Sequence, residues 1–201
     1  PRPQEPIEVA EDTAELKVQA ENAWESQDFY RSAAYYKELA QSRQLALEER
    51  IQAYERLSVS AMKTEDWDLA ISAFKEWSSL SEDAKHTWVW HEVYSEILIN
   101  NGREPQAREH LAGLVIKDGI DWEFKMRAAY KLFKVDFDAD RNSEALAVLA
   151  QLYEEAPDND ARVRLETDMR AYLAKLTPDR LEELQDAVPM DTRSLEYPYV
   201  L

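Results

Sequence analysis

The sequence contains no cysteine, and only three glycines and eight prolines among its 201 residues. Without thiols, disulfides and thiolate chemistry are excluded within this stretch, and the compartment stays open. Three glycines cannot spell a phosphate-binding loop or a dinucleotide fingerprint. Positive charge is also scarce. Twenty-four Lys and Arg face 41 Asp and Glu, a formal net charge of −17. An acidic surface repels nucleic-acid phosphates and anionic lipid heads, so no nucleic-acid partner is expected. No apolar run approaches the roughly 18–20 residues that cross a bilayer, so no transmembrane segment is expected. No signal peptide and no run of alternating β-branched residues is visible. What remains abundant is Ala, Leu, Glu, Lys and Arg, a composition that favours helix.

Catalytic sets are missing as well. His86, His91 and His110 are the only histidines. His91-Glu92 is followed four residues after His91 by Ser95, so the zinc-helix motif is not spelled. His91 is expected to pack between helices. Glu154-Glu155 and Glu182-Glu183 are adjacent in sequence, point apart on a helix and read as solvated charge. The serines have no nucleophile-elbow setting. No catalytic, cofactor-binding or metal residue is assigned, no cofactor is expected, and the chain is read as a non-enzyme.

The most informative stretch is Tyr54 to Trp77. Tyr54, Leu57 and Ala61 share one face of a 3.6-residue period. Lys63-Thr64-Glu65 breaks the pattern, and Thr64 or Asp66 can cap a second helix. Ala70, Phe74 and Trp77 resume the apolar face. Ser58 and Ala70 are small and suit a close helix crossing. The same alternation recurs. Ser32, Ala70, Ala107 and Ala145 take one slot, 38, 37 and 38 residues apart. Four helix pairs follow. The first leads from Ala10, with Leu16, Ala20 and Ala23-Trp24 on one face, and Asp28 caps its second helix. The second leads from near Ala46. The third leads from about Asp83 to Asn100, with Gly102 at its turn. The fourth leads from about Asp121 to Phe137. There Phe133 and Asp136 fall in the small and aromatic slots, and a one-residue change in turn length is the expected cause. Gln19 likewise stands where leucine is usual.

These slots resemble the tetratricopeptide repeat, with pattern W-x2-L-G-x2-Y, A-x3-F and a closing proline over about 34 residues. Tyr54, Leu57, Ser58, Ala61, Ala70 and Phe74 carry the resemblance, and Pro157 stands at one closing position. The excess of three or four residues per repeat suggests an added helical turn. The resemblance implies an all-α fold, a right-handed α-α superhelix of about four helix pairs. Residues 1–9 read as a proline-rich tether or a frayed domain end. Residues 10–157 are the repeats. Residues 158–188 are capping helices, with Leu165, Met169, Tyr172-Leu173 and Leu176 on one stripe and Thr177-Pro178 opening the last helix. Residues 189–201 form a tail, with Leu195, Tyr197, Tyr199 and Leu201, leading to a further segment or domain.

Stacked pairs expose the leading helices on a concave face. The surface beside the packing face then reads Lys17, Glu21 and Trp24; Glu55, Val59 and Met62; Glu92, Glu96 and Ile99; Tyr130, Lys134 and Phe137. One edge is apolar (Trp24, Met62, Ile99, Phe137), and the other is mainly acidic. Such a groove suits a protein or peptide segment with apolar anchors and Lys or Arg. The same residues could instead touch neighbouring repeats. Only Lys17 and Lys134 occupy places comparable to the basic clamp of chaperone-binding members, so that activity is not expected. The layout through Leu173–Leu181 to Tyr197-Pro198 also resembles the N-terminal half of penicillin-binding-protein activator lipoproteins. That resemblance implies a lipid anchor upstream of Pro1, an outer-membrane-anchored periplasmic location rather than a cytoplasmic one, and regulation of peptidoglycan synthesis. The alternative is a structural arm that positions a following periplasmic-binding-like domain.

Overall fold

The computed structural model describes residues 7–10 and 12–187. The expected tether, Val188 and the apolar tail therefore lie, wholly or mostly, outside the described residues. The fold is all-α. Ten helices follow in order: α1 (Thr13–Glu25), α2 (Phe29–Gln41), α3 (Leu47–Lys63), α4 (Trp67–Leu80), α5 (Trp88–Asn100), α6 (Glu104–Ile116), α7 (Trp122–Asp138), α8 (Asn142–Glu154), α9 (Asn159–Leu173) and α10 (Pro178–Ala187). The chain divides into two compact units, up to Ala107 and from Arg108 onward. In the first unit α1 packs on α2, α2 on α3, α3 on α4, and α5 on both α3 and α4. In the second, α7 packs on α8, and α8 on α9 and α10.

Side-chain oxygens fix most helix starts. Asp12, Asp28, Asp66, Thr87, Asp121 and Asp158 each accept an N–H from the first turn of the helix they precede. Such a cap satisfies a donor that the helix itself leaves unpaired. Asp66 is the cap at α4, and Thr64 closes α3 instead. Two expected starts move. The first helix begins at Thr13, behind Asp12, not at Ala10. The third leading helix is broken. A 3-10 turn spans Asp83–His86, and Thr87 is extended, at φ −98° and ψ 145°. The Thr87 hydroxyl donates to the Ala84 carbonyl and accepts from Trp90 N–H, so it closes one helix and opens the next.

One turn is used four times. Gln27, Glu65, Gly102 and Asp140 are left-handed, with φ of 58°, 60°, 68° and 61°. The N–H of each donates to the carbonyl three residues back, on Trp24, Met62, Ile99 and Phe137. The next N–H, on Asp28, Asp66, Arg103 and Arg141, reaches back five residues, to Ala23, Ala61, Leu98 and Asp136. This pair of bonds defines a Schellman stop. Each turn opens a second helix whose fourth residue is Ser32, Ala70, Ala107 or Ala145, and all four are fully buried. Ser58 is also fully buried. Any larger side chain at such a position would have to displace the facing helix. The 37- to 38-residue spacing is taken up by the 17-residue leading helices α3 and α7, and before α5 by the added 3-10 turn.

The expected length change in the fourth turn is therefore absent. Asp136 keeps the register and is 1% exposed. Its carboxylate accepts from Arg108 Nε, from Arg108 Nη2 at 3.1 Å and from Arg141 Nε at 2.8 Å. By the same spacing, the earlier repeats carry Ala33 and Ala61, and Ile71 and Leu98, at the positions of Arg108 and Asp136. Charged residues stand here where the earlier repeats have apolar ones, which is why Asp136 reads as a mismatch. Gln19, the other departure, holds the chain before α1 by accepting Ala10 N–H at 3.1 Å.

Candidate protein-interaction surface on the leading helices

In the first unit, Lys17, Glu21 and Trp24 lie one turn apart on α1. Lys17 Nζ is 2.6 Å from Glu49 Oε1 in the first turn of α3. Glu49 also accepts Ala46 N–H at 3.1 Å, and these two bonds hold its carboxyl below the usual range. Glu21 accepts the Tyr36 hydroxyl at 2.9 Å. Burial, then that carboxylate, push the Tyr36 phenol well above its ordinary value. Trp24 is half-buried and meets Phe29 and Tyr36 edge-on, at centroid distances of 6.0 and 6.5 Å. The Arg56 guanidinium covers the Trp24 ring, 3.9 Å from a ring centroid.

The middle of α3 is unusual. Glu55 is half-buried, and within the described chain its carboxylate has no hydrogen bond or ion pair. Burial raises its pKa, opposed by the charge of Arg56. Arg56 Nε is buried without a hydrogen-bond partner among the described residues. A buried polar atom without a hydrogen bond costs free energy, so Arg56 Nε calls for an explanation. Val59, one turn further on, is half-buried against the α3–α5 core, and Met62 is 6% exposed within that core. On α5, Glu92 lies 3.8 Å from Lys63 at the end of α3, and Ile99 is half-buried. Glu96 is half-buried and has a partner of its own.

In the second unit, Tyr130 donates its hydroxyl to Asp168 on α9, and its phenol is pushed up by burial and by that carboxylate. Lys134 Nζ pairs with Asp138 at 2.6 Å. Phe137 stacks on Phe133, with centroids 6.3 Å apart, and meets Tyr172 edge-on at 4.5 Å.

The structure thus puts Trp24, Met62, Ile99 and Phe137 at one identical place in their turns, as their spacing requires. It also engages most of that edge. Met62 enters the core, Arg56 lies on Trp24, and Tyr172 lies against Phe137. The acidic edge divides similarly. Glu21 and Glu92 have hydrogen-bond or ion-pair partners, and among the described residues Glu55 has only the charge of Arg56 beside it. Sequence reasoning missed Arg56. Its role depends on a contact 32 residues away in the chain, and no spacing rule within one helix announces that. Among the described residues, no three His, Asp or Glu side chains form a metal-holding group, and no helix is long and apolar enough to cross a membrane. Compared with protein-family models, curated proteins and solved structures, the chain matches none.

Proposed function

We propose that this chain is a non-enzymatic protein-interaction module of tetratricopeptide type, and that its leading helices hold a protein or peptide segment bearing Lys or Arg. The carrying observation is Glu55, a half-buried carboxylate with no partner in the described chain, flanked by Val59 and by Arg56 on Trp24. Its partial burial disfavours the charged form, and an incoming ammonium or guanidinium offsets that cost on binding. An apolar side chain of the same segment packs on Val59.

The resemblance to envelope lipoproteins makes a peptidoglycan synthase the first partner to try. A photo-crosslinking residue at Val59 tests the surface, with one at Tyr30, 56% exposed on the trailing helix α2, as control. A purified candidate should crosslink from position 59 and not from position 30. Equal crosslinking from both sites would reject the surface. A second reading, an arm that only positions another domain, is favoured by one observation: Met62 and Phe137 spend their apolar surface on the chain's own helices.

A further inference from the structure

Three of the four repeated turns share a second device. The residue before the left-handed position ties its side chain to the carbonyl four residues back. Ser26 Oγ donates to Asn22 O at 2.7 Å, Thr64 Oγ1 to Ser60 O at 3.0 Å and Asn101 Nδ2 to Ile97 O at 2.8 Å. Ala139 has no such group. Three of the left-handed residues carry side chains, and the fourth is Gly102. Only in the third turn does a carboxamide precede a glycine, and a Cβ built on Gly102 would meet no atom within 4 Å. This pairing has a chemistry of its own. The deprotonated Gly102 amide nitrogen can attack Asn101 Cγ, forming a C–N bond, and ammonia leaves. Water then opens the five-membered succinimide at either carbonyl, giving aspartate or isoaspartate. One water is consumed and one ammonia released.

The folded turn restrains both reactants. The carboxamide nitrogen is bound to Ile97 O, and the Gly102 N–H donates to Ile99 O at 3.0 Å. Asn101 has ψ 14°, whereas ring closure needs the Cβ–Cα–C–N torsion near zero, which places ψ far from that value. We propose that Asn101 is a latent deamidation site held shut by its own turn, so that its conversion records opening of the turn that ends α5. Conversion would also damage the turn. A carboxylate at the C-terminal end of α5 opposes the helix dipole. Ile97 O loses its side-chain donor, and isoaspartate lengthens the main chain by one carbon. Asp118-Gly119 offers the same nucleophile facing a carboxylate, a poorer electrophile.

The test incubates the full chain at mildly alkaline pH, folded and in urea, and follows amide-to-acid and isoaspartyl conversion at each Asn by peptide mass spectrometry. In urea, Asn101 should convert fastest of the asparagines. In the folded chain its rate should fall at least about tenfold, because reaction then needs local opening. Equal rates in the two conditions, or faster conversion of another Asn in urea, would overturn the proposal. Asn101→Ser, which restores the cap seen at Ser26, should keep the fold and leave conversion in this peptide only at the slower Asn100, which fragment ions distinguish. Undiminished conversion of this peptide in the variant would also overturn it.

Discussion

The guanidinium of Arg56 lies 3.9 Å from the centre of a Trp24 ring, binding α3 to α1 through a contact that uses none of its N–H groups. The ring carries most of this junction, because it also meets Phe29 and Tyr36. Trp24→Ala should cost about 2–3 kcal/mol, below the range for a fully buried aromatic. Arg56→Met keeps the packing stem and loses only the cation–ring attraction, about 0.5–1 kcal/mol. Urea denaturation of the two variants checks the ratio. Equal losses would show that the charge, not the ring, holds the junction.

Asp136 offers a double-mutant cycle. Asp136→Leu leaves Arg108, which is about one-third exposed, without its bidentate acceptor, and should destabilise by about 2–4 kcal/mol. Arg108→Ile with Asp136→Leu installs the apolar residue types of Ile71 and Leu98, leaves only the partly exposed Arg141 without its acceptor, and should recover much of that loss. Melting temperatures of these two variants and of Arg108→Ile alone measure the coupling. A double variant no better than Asp136→Leu alone would mean that the ion pair has no apolar substitute here.

The left-handed turn residues give a test of the repeat. Glu65 sits at φ 60° where Gly102 sits at 68°. A side chain in that region is strained and glycine is not. Glu65→Gly should stabilise by about 0.5–1 kcal/mol, and Gln27→Gly similarly. Gly102→Ala should destabilise by a like amount, since space is open and only the backbone objects. Opposite signs in thermal melts are the expected result.

Glu55 should titrate against the fold. Its pKa is raised in the folded chain, chiefly by burial. The folded state therefore holds this proton more tightly than the unfolded chain, and the group costs stability once pH passes the unfolded value. The cost grows until pH exceeds the folded value and then stays constant. Glu55→Gln should be more stable than the parent at neutral pH, and the difference should vanish below about pH 4. A variant that is less stable at neutral pH would show that Glu55 has a partner in solution.

Much of this was readable in advance, for physical reasons. Ser32, Ala70, Ala107 and Ala145 were alignable because close helix crossings tolerate only small side chains, and their spacing survives drift in everything around them. Asp28, Asp66 and Asp121 announced helix starts because capping is local. Thr87 went unread because helix-forming residues surround it on both sides. Asp136 read as a mismatch because its partners lie outside its own helix, Arg108 on α6 and Arg141 in the turn before α8. The same holds for Arg56. Sequence periodicity shows which face a residue takes, not which distant side chain already covers it. For that reason the expected apolar edge at Trp24, Met62 and Phe137 is largely occupied from within.

The most direct test is the affinity of a crosslink-identified, purified partner for the parent chain and for Glu55→Lys, measured by titration calorimetry at physiological salt. Reversing this charge should weaken binding at least about tenfold, or about 1.4 kcal/mol, with helical circular dichroism unchanged. An unaltered affinity would mean that the vacant carboxylate on α3 receives nothing.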